Sequence, residues 1–106
     1  MTADAILKQA TLQIVQRFAP VQVVLFGSRA WGTPDTQSDF DLAVIVLDGS
    51  DVRRLMREIR RELASLPAAF DVLVFPVSEW RKWSASGVTL EHRIARDGRV
   101  VFDAAA

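Results

Sequence analysis

The chain contains no cysteine and a single histidine, His92, among its 106 residues. The absence of cysteine excludes disulfide scaffolds, cysteine-ligated zinc clusters and thiol nucleophiles. A metal ion would therefore need oxygen ligands or His92. We interpret His92 as a solvated residue of a short helix rather than as a ligand.

An excess of positive charge and a long apolar run are also missing. The 13 basic and 13 acidic residues cancel, whereas proteins that hold a nucleic-acid backbone normally carry a basic excess. The longest purely apolar run covers residues 42–47, far short of the roughly 20 residues needed to span a bilayer. The first 18 residues lack the pattern of a secretory signal. We therefore expect a cytoplasmic protein that binds neither membrane nor nucleic acid directly.

The length of the chain and its 50% content of hydrophobic residues predict a single globular domain over residues 1–106. Hydrophobic periodicity, β-branched runs and turn residues predict its elements in chain order. Helices are expected over about residues 4–18, from 52 towards Pro67, after Ser78 and around Leu90, and strands over 21–26, 40–47, 70–75 and 99–102.

Several side chains beside these elements have an ordinary interpretation. Ser50 and Ser78 are candidate helix N-caps. The five arginines between Arg53 and Arg61 are interpreted as a solvated helix face. Trp80 and Trp83 are expected to pack against a sheet, with a partner surface as the alternative.

Asp39 and Asp41 stand where a strand is predicted to begin. Residues two apart in a strand point to the same side, roughly 6.5–7 Å apart along the chain. Two such carboxylates repel each other unless a cation lies between them, which favours a hard divalent metal such as Mg²⁺. Asp71 begins the next predicted strand. If the two strands are neighbours, three carboxylates converge, enough for two metal ions about 3.5–4 Å apart.

Two structural alternatives compete with this interpretation. Ser38 and Asp41 have the spacing of a helix capping box, and residues 34–38 have the composition of a loop, in which aspartates are common. The β-branched run over residues 42–47 disfavours the start of a helix. An ordinary loop remains an alternative for the acidic pair taken alone.

Gly27 and Ser28 follow the strand predicted over residues 21–26. Glycine lets backbone amides approach a ligand, a serine hydroxyl can bond a phosphate oxygen, and amides at a helix start attract anions. The pair is not a P-loop, because Thr33-Pro34 stands where Lys-Ser/Thr is required. A plain tight turn is the alternative.

The combination of Gly27-Ser28, ten residues and then Asp39-x-Asp41 resembles the signature of the polymerase β-like nucleotidyltransferase superfamily. The fuller string GSRAWG…SDFDL is similar to its minimal nucleotidyltransferase branch. The resemblance implies an α/β fold with a mixed sheet of about four strands flanked by helices. It also implies transfer of a nucleoside monophosphate, usually AMP from ATP, with two Mg²⁺ ions.

The resemblance also assigns roles to residues. Gly27, Ser28 and, less directly, Arg29 would hold the nucleotide. Asp39 and Asp41 would bind both metal ions, and Asp71 would complete the site near the acceptor and help to deprotonate the attacking hydroxyl. Trp31 departs from the motif, which often has another arginine there, and we expect it to pack beneath the loop.

Minimal members of the superfamily are typically encoded with a helical HEPN-family protein, often a ribonuclease toxin, and act as its antitoxin by attaching AMP to it, commonly on tyrosine. The chain has no tyrosine, so tyrosine self-modification is excluded and a partner substrate is expected, with an oligomer as a further possibility. The alternatives are an antitoxin that neutralises its partner by binding alone, and a transferase for a small molecule such as an antibiotic.

Overall fold

The computed structural model describes residues 1–32 and 39–106, and in them the chain forms five helices and four strands. The helices are α1 (Ala3–Phe18), α2 (Ser28–Trp31), α3 (Val52–Leu63), α4 (Val77–Ser84) and α5 (Leu90–Asp97). The strands are β1 (Gln22–Phe26), β2 (Phe40–Val46), β3 (Phe70–Pro76) and β4 (Arg99–Asp103). The loop predicted over residues 34–38 and the capping alternative at Ser38 lie outside the described residues.

The four strands form one mixed sheet in the order β3-β2-β1-β4. β1 pairs antiparallel with both β2 and β4, whereas β2 and β3 run parallel. A parallel pair needs a crossover connection, and α3 provides it between β2 and β3. The expected fold class, an α/β fold with a mixed four-stranded sheet flanked by helices, is confirmed.

Helices cover both faces of the sheet, and each face has its own cluster of buried hydrophobic residues. Successive residues of β2 alternate between the two clusters. Leu42 and Val44 are buried in the larger cluster with residues of α1 and α3, such as Ile14 and Ile59. The intervening residues of β2 join a second cluster, which contains Ala43, Ile45, Trp80 and Ile94. A strand buried on both faces is expected to be continuously apolar, which explains the run over residues 42–47.

The structure corrects two predicted helix caps. Asp51, not Ser50, caps α3, since its side chain accepts a hydrogen bond from the Arg54 amide; the Ser50 hydroxyl instead donates to the Leu47 carbonyl over 2.7 Å. Serine and aspartate are both good N-cap residues, so residue type alone could not show which of Ser50 and Asp51 caps the helix.

The second corrected cap is at α4, which begins one residue before Ser78 with Pro76 in the cap position. Both the amide and the hydroxyl of Ser78 donate to Oδ1 of Asp48, over 3.0 and 2.9 Å. The oxygen that caps this helix therefore comes from the loop after β2, 30 residues away in sequence. A local sequence pattern cannot show such a partner.

Helix α3 ends at Leu63, before the predicted stop at Pro67. The Ala64 amide binds the Arg61 carbonyl three residues back, which tightens the last turn. Within residues 1–32 and 39–106, no helix is both long and apolar enough to cross a bilayer.

Candidate active site

Three strand ends meet at one edge of the sheet. Because β1 and β2 are antiparallel, the last residue of β1, Phe26, pairs with Asp41 near the start of β2. Because β2 and β3 are parallel, Asp41 also pairs with Asp71 near the start of β3. The glycine-serine corner after β1 and the two aspartates therefore lie side by side.

Gly27 adopts φ +73° between β1 and α2, in the region that favours glycine. A Cβ built on Gly27 would overlap Oδ2 of Asp41 and lie 2.9 Å from its Cγ. Glycine is therefore required at this position for two independent reasons, its backbone conformation and the space that the Asp41 carboxylate occupies. The Gly27 carbonyl accepts hydrogen bonds from the Ala30 and Trp31 amides, which sets the first turn of α2.

The Ser28 side chain is exposed at the start of α2, directly after Gly27. The first N–H groups of a helix have no acceptor within the helix, and they carry partial positive charge. The position of Ser28 is compatible with its predicted contact to a phosphate group, a role that stays a prediction.

The alternation of burial places Asp41 and Asp71 on the same face of the sheet. Phe40 and Val72 are buried in the cluster with α1 and α3, so the side chains that neighbour them along each strand point to the opposite face. Asp39 lies directly before β2 and is exposed. The strand register thus places Asp41 and Asp71 side by side, whereas the convergence of all three carboxylates on metal ions stays a prediction.

The acidic side chains influence one another electrostatically. The pKa of Asp41 is raised from its ordinary value of 3.8, first by partial burial and then by the negative charges of Asp71 and Asp39. Both causes disfavour the ionised form of Asp41. The charges of Asp71 and Asp39 thus both act on the Asp41 carboxylate, and a bound cation would relieve this repulsion.

Asp71 also has a basic neighbour that the sequence did not single out. Nη2 of Arg60, on α3, lies 3.7 Å from Oδ1 of Asp71 and donates a hydrogen bond to the Val72 carbonyl over 3.3 Å. Arg60 belongs to the arginines interpreted as a solvated face, and its side chain is indeed 49% exposed. The contact of Arg60 with Asp71 depends on which side of α3 faces β3. The sequence pattern of the helix therefore does not distinguish Arg60 from the other arginines.

The three carboxylates are the type of ligand that a hard divalent cation prefers, but their side chains are not placed closely enough to bind one. Magnesium prefers carboxylate oxygens, which all three aspartates offer. In the part of the chain that the structure describes, however, no three acidic or histidine side chains are gathered closely enough to hold a metal ion. A cation would draw together side chains whose backbones are already adjacent at Asp41 and Asp71.

The side chains of Arg29 and Trp31 lie on opposite sides of α2. The Arg29 guanidinium is 4.1 Å from the centre of the Phe40 ring; its predicted contact with a phosphate group stays a prediction. Trp31 packs against Phe26, with ring centres 6.2 Å apart, and carries the Arg93 guanidinium 4.4 Å from its ring centre. Trp31 is therefore packed against neighbouring side chains, whereas its predicted position beneath the loop stays a prediction.

His92 and the two tryptophans occupy the helices beyond the site. Nδ1 of His92 donates to the Ser84 carbonyl over 2.7 Å, so this histidine joins α5 to α4 and is half-buried, contrary to the prediction of a solvated residue. Trp80 is 8% exposed and packs against Phe75, as expected. Trp83 is 40% exposed, contrary to the packing expected for both tryptophans.

Comparison with known proteins agrees with this geometry. The profile of the family described as polymerase beta, nucleotidyltransferase matches residues 9–105, from within α1 to beyond β4. No curated protein matches the chain in a direct sequence comparison. The family profile spans nearly the whole chain, and the sheet and strand ends just described agree with it. The chain therefore belongs to the polymerase β nucleotidyltransferase family.

Proposed function

We propose that this nucleotidyltransferase moves AMP from ATP to a hydroxyl group of a partner protein, with two Mg²⁺ ions, and that it acts in the cytoplasm as the antitoxin of a HEPN-family ribonuclease toxin. One observation carries the proposal. Gly27 leaves room for the Asp41 carboxylate, and Asp41 pairs in register with Asp71. A corner suited to phosphate and the acidic residues therefore adjoin at one end of the sheet.

In this proposal the nucleotide lies between the corner and the carboxylates. The backbone at Gly27 and the hydroxyl of Ser28 bind its phosphate oxygens, with Arg29 as a further contact. Asp39 and Asp41 would hold the cations, and Asp71 would complete the metal site. When bound, Mg²⁺ neutralises the charge of the phosphate groups and activates the attacking oxygen.

The reaction is a substitution at the α-phosphorus of ATP. The acceptor oxygen forms a bond to that phosphorus, and the bond between the phosphorus and the oxygen that leads to the β-phosphate breaks. Pyrophosphate leaves with the electron pair. Asp71 takes the proton of the acceptor hydroxyl, a role that requires an accessible carboxylate, and its side chain is 63% exposed.

The lack of tyrosine in the chain supports a partner as the acceptor. The exposed Trp83 and Val88, 40% and 92% accessible, provide apolar surface on the α4–α5 side of the molecule. Aromatic residues such as tryptophan are enriched at protein–protein interfaces. This surface is our candidate for the region that the toxin covers.

The proposal is tested by incubating the purified protein with its co-purifying partner, Mg²⁺ and α-labelled ATP, followed by mass spectrometry of every component. We expect an added AMP on the partner and loss of its ribonuclease activity. Label on RNA or on a small molecule would contradict protein modification and would favour the small-molecule alternative in the latter case.

A double variant distinguishes catalysis from neutralisation by binding. Asp39→Ala with Asp41→Ala should abolish labelling and neutralisation while leaving the partner bound. The matched control is Asp4→Ala, which removes an exposed carboxylate at the start of α1 and should leave labelling unchanged. If the site variant folds, binds and still neutralises the toxin fully without nucleotide, the protein is a binding antitoxin.

A further inference from the structure

Arg60 lies at the outer edge of the sheet, beside the candidate site. The strand order makes β3 an edge strand, and α3, which carries Arg60, connects β2 to β3. The guanidinium holds the Val72 carbonyl over 3.3 Å and lies 3.7 Å from the Asp71 carboxylate. The backbone contact anchors the positive charge beside Asp71 at the edge of the sheet.

The anchored charge attracts Asp71 away from Asp41, whereas a bound metal ion would draw the two carboxylates together. Asp41, on the neighbouring strand, repels Asp71, and the Arg60 guanidinium attracts it towards the edge. This arrangement agrees with the lack, within residues 1–32 and 39–106, of three acidic or histidine side chains close enough to hold a cation. A cation that recruits Asp71 must therefore compete with Arg60.

We propose that Arg60 is a positioning residue that keeps Asp71 apart from Asp41 and thereby lowers the affinity of the site for a free metal ion. The inference rests on the proposed function, because it takes the three aspartates as the metal-binding residues. It predicts that the charge of Arg60, rather than its hydrogen bond to Val72, controls metal affinity.

The test measures binding of free Mn²⁺ to the full chain without nucleotide, by electron paramagnetic resonance at pH 7. Arg60→Gln removes the charge and keeps a polar side chain that can donate hydrogen bonds. Unit charges about 4 Å apart in water interact by about 1 kcal/mol, so we expect about fivefold tighter Mn²⁺ binding. Arg60→Lys, which keeps the charge, should bind Mn²⁺ as the wild type does.

The matched control is Arg53→Gln, which removes the same charge from an exposed residue of α3. Arg53 lies seven residues before Arg60, about 10 Å away along the helix, and a charge at that distance is largely screened at 0.1 M salt. Its Mn²⁺ affinity should change less than about twofold. Thermal unfolding of each variant shows whether it is folded.

The outcomes separate the inference from the function on which it rests. Unchanged or weaker Mn²⁺ binding by Arg60→Gln, or an equal gain in Arg53→Gln, overturns the role of Arg60 alone. Asp41→Asn reports on the site itself and should weaken Mn²⁺ binding in the wild-type background. If Asp41→Asn binds Mn²⁺ as tightly as the wild type, the metal site is wrong and both proposals fall.

Discussion

At the scale of single residues, Gly27 connects the two halves of the sequence motif. Ten residues separate the glycine-serine corner from the first aspartate in the chain, yet the Asp41 carboxylate occupies the space where a side chain at Gly27 would lie. The requirement for glycine is thus set by the neighbouring strand as well as by the turn.

Gly49 offers a matched control for a substitution of Gly27. Both residues have a positive φ, +73° and +87°, but a Cβ on Gly49 would meet nothing within 4 Å. Gly27→Ala should cost about 1–3 kcal/mol from backbone strain, with a further cost from displacing Asp41, and should abolish nucleotidyl transfer. Gly49→Ala should show only the strain and keep activity. Urea unfolding and the labelling assay measure both effects, and equal losses in the two variants would contradict the role of Gly27.

The Asp41 carboxylate should reduce the stability of the metal-free protein, although the proposed function requires it. Its partial burial beside two other carboxylates disfavours its charge, so Asp41→Asn should raise the melting temperature of the metal-free protein. Repulsion between partly exposed charges is worth under about 1 kcal/mol, which corresponds to a rise of a few degrees at most. Calorimetry at pH 7 with a chelator measures it. A lower melting temperature than that of the wild type would show that the carboxylate is stabilising.

At the scale of elements, the helices and strands agree with their predicted positions, but the residues that cap them are less predictable. The apolar spacing of α1 and α3 and the β-branched runs of β1, β2 and β3 arise from burial of one or both faces, which a sequence pattern records. A cap depends on one hydrogen bond. The cap of α4 is supplied by Asp48 from a different part of the chain.

The corrected cap of α3 is open to a direct test. Asp51→Ala should destabilise the protein by about 1 kcal/mol, because the Arg54 amide loses its acceptor. Ser50→Ala, at the residue favoured by sequence, should change stability by only about 0.5 kcal/mol, as at most surface positions. Urea denaturation of both variants decides the matter, and a larger effect at Ser50 would reverse the assignment.

The end of α5 should contribute a pH-dependent part of the stability. A hydrogen bond from Arg96, together with the charges of Arg96 and Arg93, lowers the pKa of Asp97 below its ordinary value of 3.8. A lowered folded-state pKa gives stability that is present above 3.8 and lost as the pH falls through the folded value. Asp97→Asn should therefore be less stable than the wild type at pH 7, with the difference shrinking in strong acid. Urea unfolding at pH 7 and pH 2 measures this, and a difference independent of pH would exclude the ion pairs as its cause.

At the scale of the whole molecule, helices on the two faces of the sheet leave one end of it for the site. α1 and α3 bury one face, while Trp80 and Ile94, from α4 and α5, bury Ala43 and Ile45 on the other. Asp41 and Asp71 lie on that second face, at the end where β2 and β3 begin. The helices there close the core and leave the carboxylates accessible.

The two tryptophans of α4 should differ in their effect on this layer. Trp80→Ala should cost about 3–5 kcal/mol, since a buried aromatic ring of the second cluster is removed. Trp83→Ala should cost less than about 1 kcal/mol, because the side chain is 40% exposed, and should weaken binding of the proposed partner protein. Chemical denaturation and a binding assay separate these effects, and comparable destabilisation by the two variants would contradict the assigned packing.

The sequence by itself determined the order of the elements, the family-like spacing of Gly27, Ser28 and the aspartates, and the chemical type of the site, because local spacing and residue type carry that information. Only the tertiary structure decided that β3 lies parallel beside β2, so that Asp71 pairs with Asp41. The same is true of Arg60, whose contact with Asp71 depends on how α3 returns along the sheet edge. Contacts between distant segments depend on strand order and helix orientation, and these are set by burial over the whole molecule rather than by any one stretch of sequence.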